Sequence, residues 1–528
     1  MNYAYLFRAT LPETVLEVAA LLVLVVDLAF LRKSALRIRA AFAAWFGVAG
    51  CLVAVWAVYA AGPGALGAGN DLLLAAGGSA AVAQVGILVL TCFALLLLVD
   101  SNFTRNPGEF VAVILMSAAG GLLISAAQDL LVIFIGLELL SLGLYILTAF
   151  AKKSGKSAES AMKYYLFGGM SAAFLLFGFS YLYGLSGSTW LPRVVLGTYM
   201  SAAAGATPLL YLALVMIAAG LGFKVAAVPF HLWAPDTYEG APAPAAAFIA
   251  SVSKVASFAL LISIGSVALR FVQSLQRAGY LRPGYVTLTA APAGAPPPHV
   301  TPGIVFVWPL ILVVLSVASM TLGNLAALAQ IGVRRLLAYS AIAHAGYILL
   351  GLAFLGWTNR IPEAVLYYIL TYGLTTIGAF GVVGVVERAT GSDRLDSFLG
   401  LYKRNPLLAA ASLIFFLSLA GIPPLVGFWA KFNLFAAVLG LGYTTPVTSI
   451  PTEPLVLVAL AVAFSAVSLY YYLQVLKRAY VMPAIDDSPI QAHPVTVAVL
   501  WIIAAAVVVL GCLPSLLQGW IAGFYPAG

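Results

Sequence analysis

The chain has 528 residues, of which 63% are hydrophobic and only 8% are charged. No polar stretch is long enough to fold as a soluble domain, and apolar runs of about twenty residues recur throughout, which is typical of helical membrane proteins. The net charge of +8 does not indicate nucleic-acid binding, because the basic residues lie in short loops beside the apolar runs.

The apolar runs predict an all-α polytopic membrane protein with fourteen transmembrane helices. In chain order, these spans cover residues 13–31, 40–61, 83–100, 108–125, 128–150, 160–184, 207–230, 241–267, 303–328, 333–355, 361–387, 405–438, 454–477 and 494–520.

The loops predict the orientation of these spans. Of the 26 basic residues, sixteen lie in loops after odd-numbered spans, six lie at the termini or in the other loops, and four are lysines inside spans. Under the positive-inside rule, the loops after odd-numbered spans face the cytoplasm and both termini lie outside.

An internal repeat divides the chain. Residues 161–178 resemble residues 364–381, and Lys224 and Lys431 lie 207 positions apart. Spans four to eight therefore match spans nine to thirteen, and the odd offset predicts two inverted five-helix repeats. The expected organisation is an N-terminal three-helix unit (1–107), a first repeat (108–267), an outer loop (268–302), a second repeat (303–478) and a final helix (479–528).

Two spans are predicted to be broken. The seventh runs into a segment with Pro229 and Pro235, and the twelfth holds Pro423 and Pro424, seven residues before Lys431. Proline removes a backbone donor and clashes with the preceding turn. At membrane depth the freed backbone groups need protein or water as partners, so a lysine near such a break predicts a hydrated cavity.

Five charged residues away from the ends of the predicted spans stand out: Glu138, Lys163, Lys224, Lys254 and Lys431. A charge at the centre of a span costs about 2.5–3.5 kcal/mol on insertion scales, which favours a functional role. For Lys163, which follows a basic loop, extension of the ammonium to the membrane surface is an equal alternative. For Glu138, the alternative to a functional role is a purely structural role in which the carboxyl group is protonated.

The histidines and cysteines are the remaining candidates for proton-transfer or metal-binding residues. His344 lies in the tenth span near the repeat equivalent of Glu138, which favours a proton-relay role. His231, at the end of the seventh span, fits proton uptake or structural hydrogen bonding equally well. The three cysteines are isolated and no histidine pair has ligand spacing, so neither a metal site nor a cofactor site is predicted.

Five segments together carry a specific resemblance: residues 136–147, 160–169, 229–261, 334–347 and 421–432. They are similar to the antiporter-like subunits of bacterial-type respiratory complex I, the NADH–quinone oxidoreductase, and most of all to the subunit N group. Mrp-type cation/proton antiporter subunits share the same core, and they are the alternative.

The resemblance implies roles for individual residues. Glu138 and Lys224 would form a charge pair, Lys254 and His344 would relay protons along a hydrated axis, and Lys431 would lead to the outer exit. Lys163 and His231 would be auxiliary.

The resemblance also implies a proton-translocating subunit without a redox centre of its own. NADH, FMN, iron–sulfur clusters and quinone would lie in partner subunits. The sister subunit M, the small subunit K and the lipid bilayer would be its neighbours in a bacterial inner membrane. A purely structural membrane subunit is the third possibility.

Overall fold

The structure, a computed structural model, describes residues 7–61, 73–75, 77–277, 303–356, 358, 360–440, 452–484 and 486–525. Regular structure in these ranges is helical, and pairing between extended segments is limited to isolated bridges. The main helices, numbered α1–α14, are Leu11–Ala29, Leu36–Ala61, Gly78–Leu96, Pro107–Ala126, Leu130–Thr148, Gly155–Ser186, Thr207–Val225, Ala243–Arg277, Gly303–Leu328, Val333–Ala353, Ile361–Thr390, the broken pair Pro406–Ala420 and Val426–Val438, Thr452–Tyr480 and Pro494–Cys512.

This set confirms the predicted polytopic helical fold. Within the described ranges, twelve helices are long and apolar enough to cross a membrane. The remaining two are α1, which carries three acidic residues, and α12, whose two halves are each too short alone. The break in α12 lies between Ala420 and Val426, at the predicted Pro-Pro step.

The structure corrects several boundaries. Helix α8 continues to Arg277, so the first part of the predicted loop 268–302 is helical, and residues 278–302 lie outside the described residues. Helix α14 ends at Cys512, eight residues before the predicted end, because Pro514 begins a separate short helix. Two further short helices, Leu191–Ser201 and Trp233–Gly240, were not predicted.

Close helix packing follows the sequence repeat. A methyl group on Gly120 of α4 would lie 2.6 Å from the Leu140 nitrogen of α5. A methyl group on Gly323 of α9 would lie 2.6 Å from the Ala343 nitrogen of α10. Both residues of the second contact lie 203 positions after their counterparts in the first. The two units therefore bring their first two helices together through equivalent glycines.

The centre of the molecule is formed by α8, α10 and α11, which are almost entirely enclosed by other helices, whereas α6 and α13 lie at the periphery. Polar side chains on the three enclosed helices are therefore shielded from lipid. Lys254 and His344 lie on two of these helices.

Replacing Gly346 by alanine is expected to destabilise the protein by about 1–3 kcal/mol, because overpacking forces backbone shifts. The added methyl group would lie 2.7 Å from the Met320 nitrogen and 2.8 Å from the Ser316 oxygen, and neither backbone atom can turn aside. Gly169→Ala is the matched control, since no atom lies within 4 Å of its new methyl group. The thermal midpoint of the purified complex is measured for each variant. Equal midpoints for Gly346→Ala and Gly169→Ala would contradict the packing argument.

Candidate proton-translocation site

Lys224 lies at the end of a broken helix. Helix α7 stops at Val225 because Ala226 adopts a left-handed conformation with φ of 58°. The Lys224 ammonium is buried and donates a hydrogen bond to the Ser141 hydroxyl at 2.5 Å. Ser141 lies one turn after Glu138 on α5. The described residues contain no ion pair between Lys224 and Glu138, and the ammonium is held instead by the Ser141 hydroxyl.

Lys254 joins the two repeats. Its ammonium is 2% exposed and donates to two backbone carbonyls, Val225 at 2.8 Å and Ala341 at 3.1 Å. The Val225 carbonyl belongs to the residue directly after Lys224. Ala341 lies on α10, one turn before His344.

Two tyrosines hold His344. Its Nδ1 lies 2.8 Å from the Tyr368 hydroxyl, and its Nε2 lies 3.4 Å from the Tyr472 hydroxyl. The Tyr472 hydroxyl also bonds the Ser340 hydroxyl. The imidazole is buried, so both ring nitrogens are satisfied by protein. Tyr472 had no signal in the sequence beyond its place in an apolar helix, whereas Tyr368 lies 203 positions after Tyr165, at the offset of the repeat.

Lys431 occupies the break in α12. It projects from the second half of the helix, and its ammonium donates to the Leu419 carbonyl at 3.2 Å and the Ala420 carbonyl at 2.9 Å. These carbonyls end the first half, where helix carbonyls lack partners within the helix and carry partial negative charge. The Ser465 hydroxyl at 2.8 Å is the third acceptor. The broken helix therefore forms a cage for a buried ammonium.

Lys163 differs from the other three lysines. Its side chain is 42% exposed and pairs with Glu159 at 2.7 Å and Asp236 at 2.9 Å. Arg335 pairs with Asp236 at 2.7 Å and with Glu239 at 3.0 Å. Lys163 is thus part of a partly solvated charge network that also links the two repeats.

The charges in this network stabilise the ionised form of Asp236. Partial burial by itself raises the pKa of the Asp236 carboxyl, but the hydrogen bonds from Lys163 and Arg335 outweigh burial and leave the pKa below its ordinary value. A lowered carboxyl pKa adds stability above the pKa of the unfolded chain, and this stability is lost as the pH falls through the folded-state pKa.

Asp236→Asn is expected to lower stability near pH 7 by less than about 1 kcal/mol, because the ion pairs are partly exposed. The difference from the unchanged protein should shrink as the pH falls below about 4, the ordinary carboxyl pKa. Thermal midpoints across a pH series measure it, with the exposed Asp487 changed to asparagine as control. A difference that persists undiminished in acid would refute the ion-pair explanation.

His231 lies in the linker between α7 and the short helix Trp233–Gly240. It is buried, and its Nδ1 has no hydrogen-bond partner among the described residues. Burial lowers the pKa of the imidazole below its ordinary value. Proton uptake and a structural role both remain predictions for this residue.

Arg334 is a buried charge that the search for charges inside spans did not single out. It lies in the first turn of α10, 5% exposed, and donates to the Ala241 carbonyl at 2.6 Å and the Glu239 carbonyl at 3.2 Å. It also pairs with Glu387 of α11. Arg334 therefore ties the linker of the first repeat to two helices of the second.

The fold, with buried lysines at two helix breaks, defines an antiporter-like membrane subunit. A family model described as "NADH:quinone oxidoreductase/Mrp antiporter, TM" matches residues 127–276 and 301–452. NADH-quinone oxidoreductase subunit N 2 of Acidobacterium capsulatum is 45% identical over 99% of both chains. Subunit N of Desulfovibrio desulfuricans is 36% identical, covering 97% of this chain and 95% of that relative.

Solved structures agree with these relatives. A chain of respiratory complex I from Thermus thermophilus with bound Aureothin is 30% identical, with a TM-score of 0.73, over 96% of this chain and 98% of that chain. A chain of the Mrp complex from Dietzia sp. has a TM-score of 0.75 over 98% of this chain and 96% of that chain, but at 20% identity it shows the fold alone.

The chain belongs to the subunit N family of NADH–quinone oxidoreductase, within the wider complex I and Mrp antiporter family. The resemblance found in the motifs is confirmed. The predicted function, an antiporter-like proton-translocating subunit of that complex, fits the relatives better than the Mrp alternative. Among the described residues, no cluster of three or more histidine, cysteine or acidic side chains could hold a metal ion.

Proposed function

We propose that this chain moves protons through a buried path formed by Glu138, Lys224, Lys254, His344 and Lys431. Quinone reduction in other subunits of the complex drives the movement. Those subunits hold the NADH, FMN, iron–sulfur and quinone sites, and this chain binds none of these groups.

The observation that carries the proposal is the position of the Lys254 ammonium. It bonds the Val225 carbonyl beside Lys224 and the Ala341 carbonyl one turn from His344. It therefore lies between the candidate groups of the first repeat and those of the second. Amines and an imidazole hold and release protons, so this order supports transfer from one half to the other.

Glu138 acts as the switch at the start of the path. A negative charge on its carboxyl favours the protonated form of Lys224, and loss of that charge favours release of the proton. The Ser141 hydroxyl gives the Lys224 ammonium a fixed position while the charge on Glu138 changes.

Glu138 also indicates where a neighbouring subunit lies. It is half-buried on a face of α5 whose apolar residues Leu131, Ile135, Leu142 and Ile146 are exposed. A carboxyl facing lipid is costly, so a partner chain covers this face. We assign subunit K or subunit M to it, and lipid to the remaining apolar surface.

The proposed setting is a bacterial inner membrane, with both termini on the periplasmic side and the basic loops in the cytoplasm. The charge network around Lys163 and Asp236 then faces the cytoplasm, and together with His231 it serves proton uptake. The five-part division of the chain, from the three-helix unit to the final helix, belongs to the same proposal.

Glu138→Ala and Lys224→Ala test the path directly. Both variants are expected to lower proton pumping per NADH oxidised in membrane vesicles that contain the assembled complex. Normal pumping in both would contradict the proposed path and favour a structural subunit. Sodium-dependent transport by the isolated chain would favour the Mrp-type alternative.

A further inference from the structure

The turn between α1 and α2 holds positive charge that no acidic side chain of the described residues neutralises. Arg32, Lys33 and Arg37 are exposed, and their side chains make no ion pair or hydrogen bond with those residues. The turn is compact, because the Ser34 nitrogen donates to the Leu31 carbonyl at 2.8 Å. Three unpaired cations therefore lie within six positions at one end of this helix pair.

Asp27, the acidic residue in the last turn of α1, already has a partner. Its side chain is 1% exposed, and its carboxylate accepts from the Arg39 Nε at 2.8 Å and from Nη2 at 2.7 Å. The Arg39 Nη1 also donates to the Arg105 carbonyl at 3.1 Å, and the Arg105 side chain is a further exposed cation. Arg39 therefore fixes the start of α2 against α1 and leaves an excess of positive charge on the outside.

Basic residues elsewhere at the predicted cytoplasmic surface lack this combination of features. Several pair with a carboxylate: Lys156 with Glu239, Arg388 with Asp100, and Arg478 with Asp396. Lys152 and Lys153, in the loop after α5, are exposed and have no ion pair among the described residues. No large apolar side chain between residues 147 and 161 is exposed, however. The turn after α1 differs, because Phe30 and Ile38, which flank its cations, are 76% and 58% exposed.

An exposed apolar stripe on α2 begins at this turn. The α2 stripe consists of residues that are each more than half exposed: Ile38, Trp45, Leu52, Trp56 and Tyr59. Their spacing of seven, seven, four and three positions puts them on one face of the helix. From Ile38 to Tyr59 the helix rises about 32 Å, close to the thickness of about 30 Å of a bilayer core. The cations before and beside Ile38 therefore lie at the depth of lipid headgroups.

We propose that Arg32, Lys33 and Arg37 bind the headgroup of an anionic phospholipid whose acyl chain lies along the α2 stripe. Clusters of basic residues directly beside a transmembrane helix attract anionic lipids, and a guanidinium binds a phosphate through two hydrogen bonds. An apolar partner helix would cover the stripe but leave the cations without a counter-charge, whereas an anionic lipid satisfies both. The site is separate from the proton path and does not depend on it.

The double variant Arg32→Gln with Lys33→Gln tests the site in the full complex, reconstituted in phosphatidylcholine vesicles. The vesicles contain a small, variable fraction of phosphatidylglycerol with a photoreactive acyl chain, and mass spectrometry maps the labelled residues after illumination. In the unchanged complex, labelling of the α2 stripe should saturate as the phosphatidylglycerol fraction rises. The double variant should need about 25-fold more phosphatidylglycerol for half-saturation, since each cation near a membrane surface contributes roughly a factor of five.

Lys152→Gln with Lys153→Gln is the matched control, because it removes the same charge from another exposed loop and should leave labelling of the α2 stripe unchanged. Arg32→Lys with Lys33→Arg keeps both charges and should keep the labelling. An unchanged half-saturation in the Arg32 and Lys33 double variant, or an equal shift in the control, would overturn the proposal. So would equal labelling by photoreactive phosphatidylcholine. An unlabelled α2 stripe in the unchanged complex would show that another subunit covers it, and would also overturn the proposal.

Discussion

Lys254→Met is expected to reduce proton pumping about 100-fold or more while the complex still assembles, because a positioned proton-transfer group contributes about that factor. Methionine has a similar length and is compatible with the buried site, so folding should be kept. The ammonium that bonds both Val225 and Ala341 is lost, and with it the link between the repeats. Acidification of inverted membrane vesicles during NADH oxidation measures the effect.

Two further variants make the Lys254 result specific. Lys254→Arg keeps the positive charge but cannot release a proton at physiological pH, so it should pump as poorly as methionine. Lys163→Met removes a lysine whose side chain is 42% exposed, and it should reduce proton pumping far less than Lys254→Met. Full pumping by the arginine variant would show that Lys254 supplies only charge, and would remove it from the path.

Arg334→Met is expected to destabilise the protein by about 3–5 kcal/mol, the range for breaking a buried ion pair from one side. Glu387 would lose its cation, and the carbonyls of Glu239 and Ala241 would lose their donor. The amount of the chain in membranes and the thermal midpoint of the complex measure the loss.

The neighbouring Arg335→Met is the control, because Arg335 is 33% exposed and surface pairs contribute about 0–1 kcal/mol. An Arg334→Met variant as stable as Arg335→Met would contradict the claim that Arg334 ties the linker to the second repeat.

The sequence predicted the helices and their breaks well, for a physical reason. A bilayer core about 30 Å thick demands about twenty apolar residues per crossing, so each span is visible without knowledge of its neighbours. Proline acts on its own helix, so the break before Lys431 was equally visible. Hydropathy predicted the end of α14 wrongly and missed the two short helices outside the spans. The membrane thickness does not set the length of these segments.

The residues of the candidate site fall into two groups: those that the sequence singles out and those that only the structure brings to notice. Glu138, Lys224, Lys254 and Lys431 stand out as charges in apolar runs, and the motifs around them resemble one family, which the relatives confirm. Ser141, Tyr368 and Tyr472 stand out much less, because hydroxyl groups are common in membrane helices. Ser141 and Tyr368 did have a weaker signal: Ser141 lies 203 positions before His344, and Tyr368 lies 203 positions after Tyr165, the offset of the repeat.

The sequence by itself therefore determined the class of protein, its spans and the charged residues that membrane burial makes costly. Only the tertiary structure decided what each charge contacts. Lys163 and Lys254 look alike in sequence, yet one joins a partly solvated ion-pair network and the other bonds two backbone carbonyls at the centre of the molecule. Hydropathy measures how unfavourable a charge is at a given position in the chain. The partners that offset this cost come from helices distant in sequence, and only their packing brings them together.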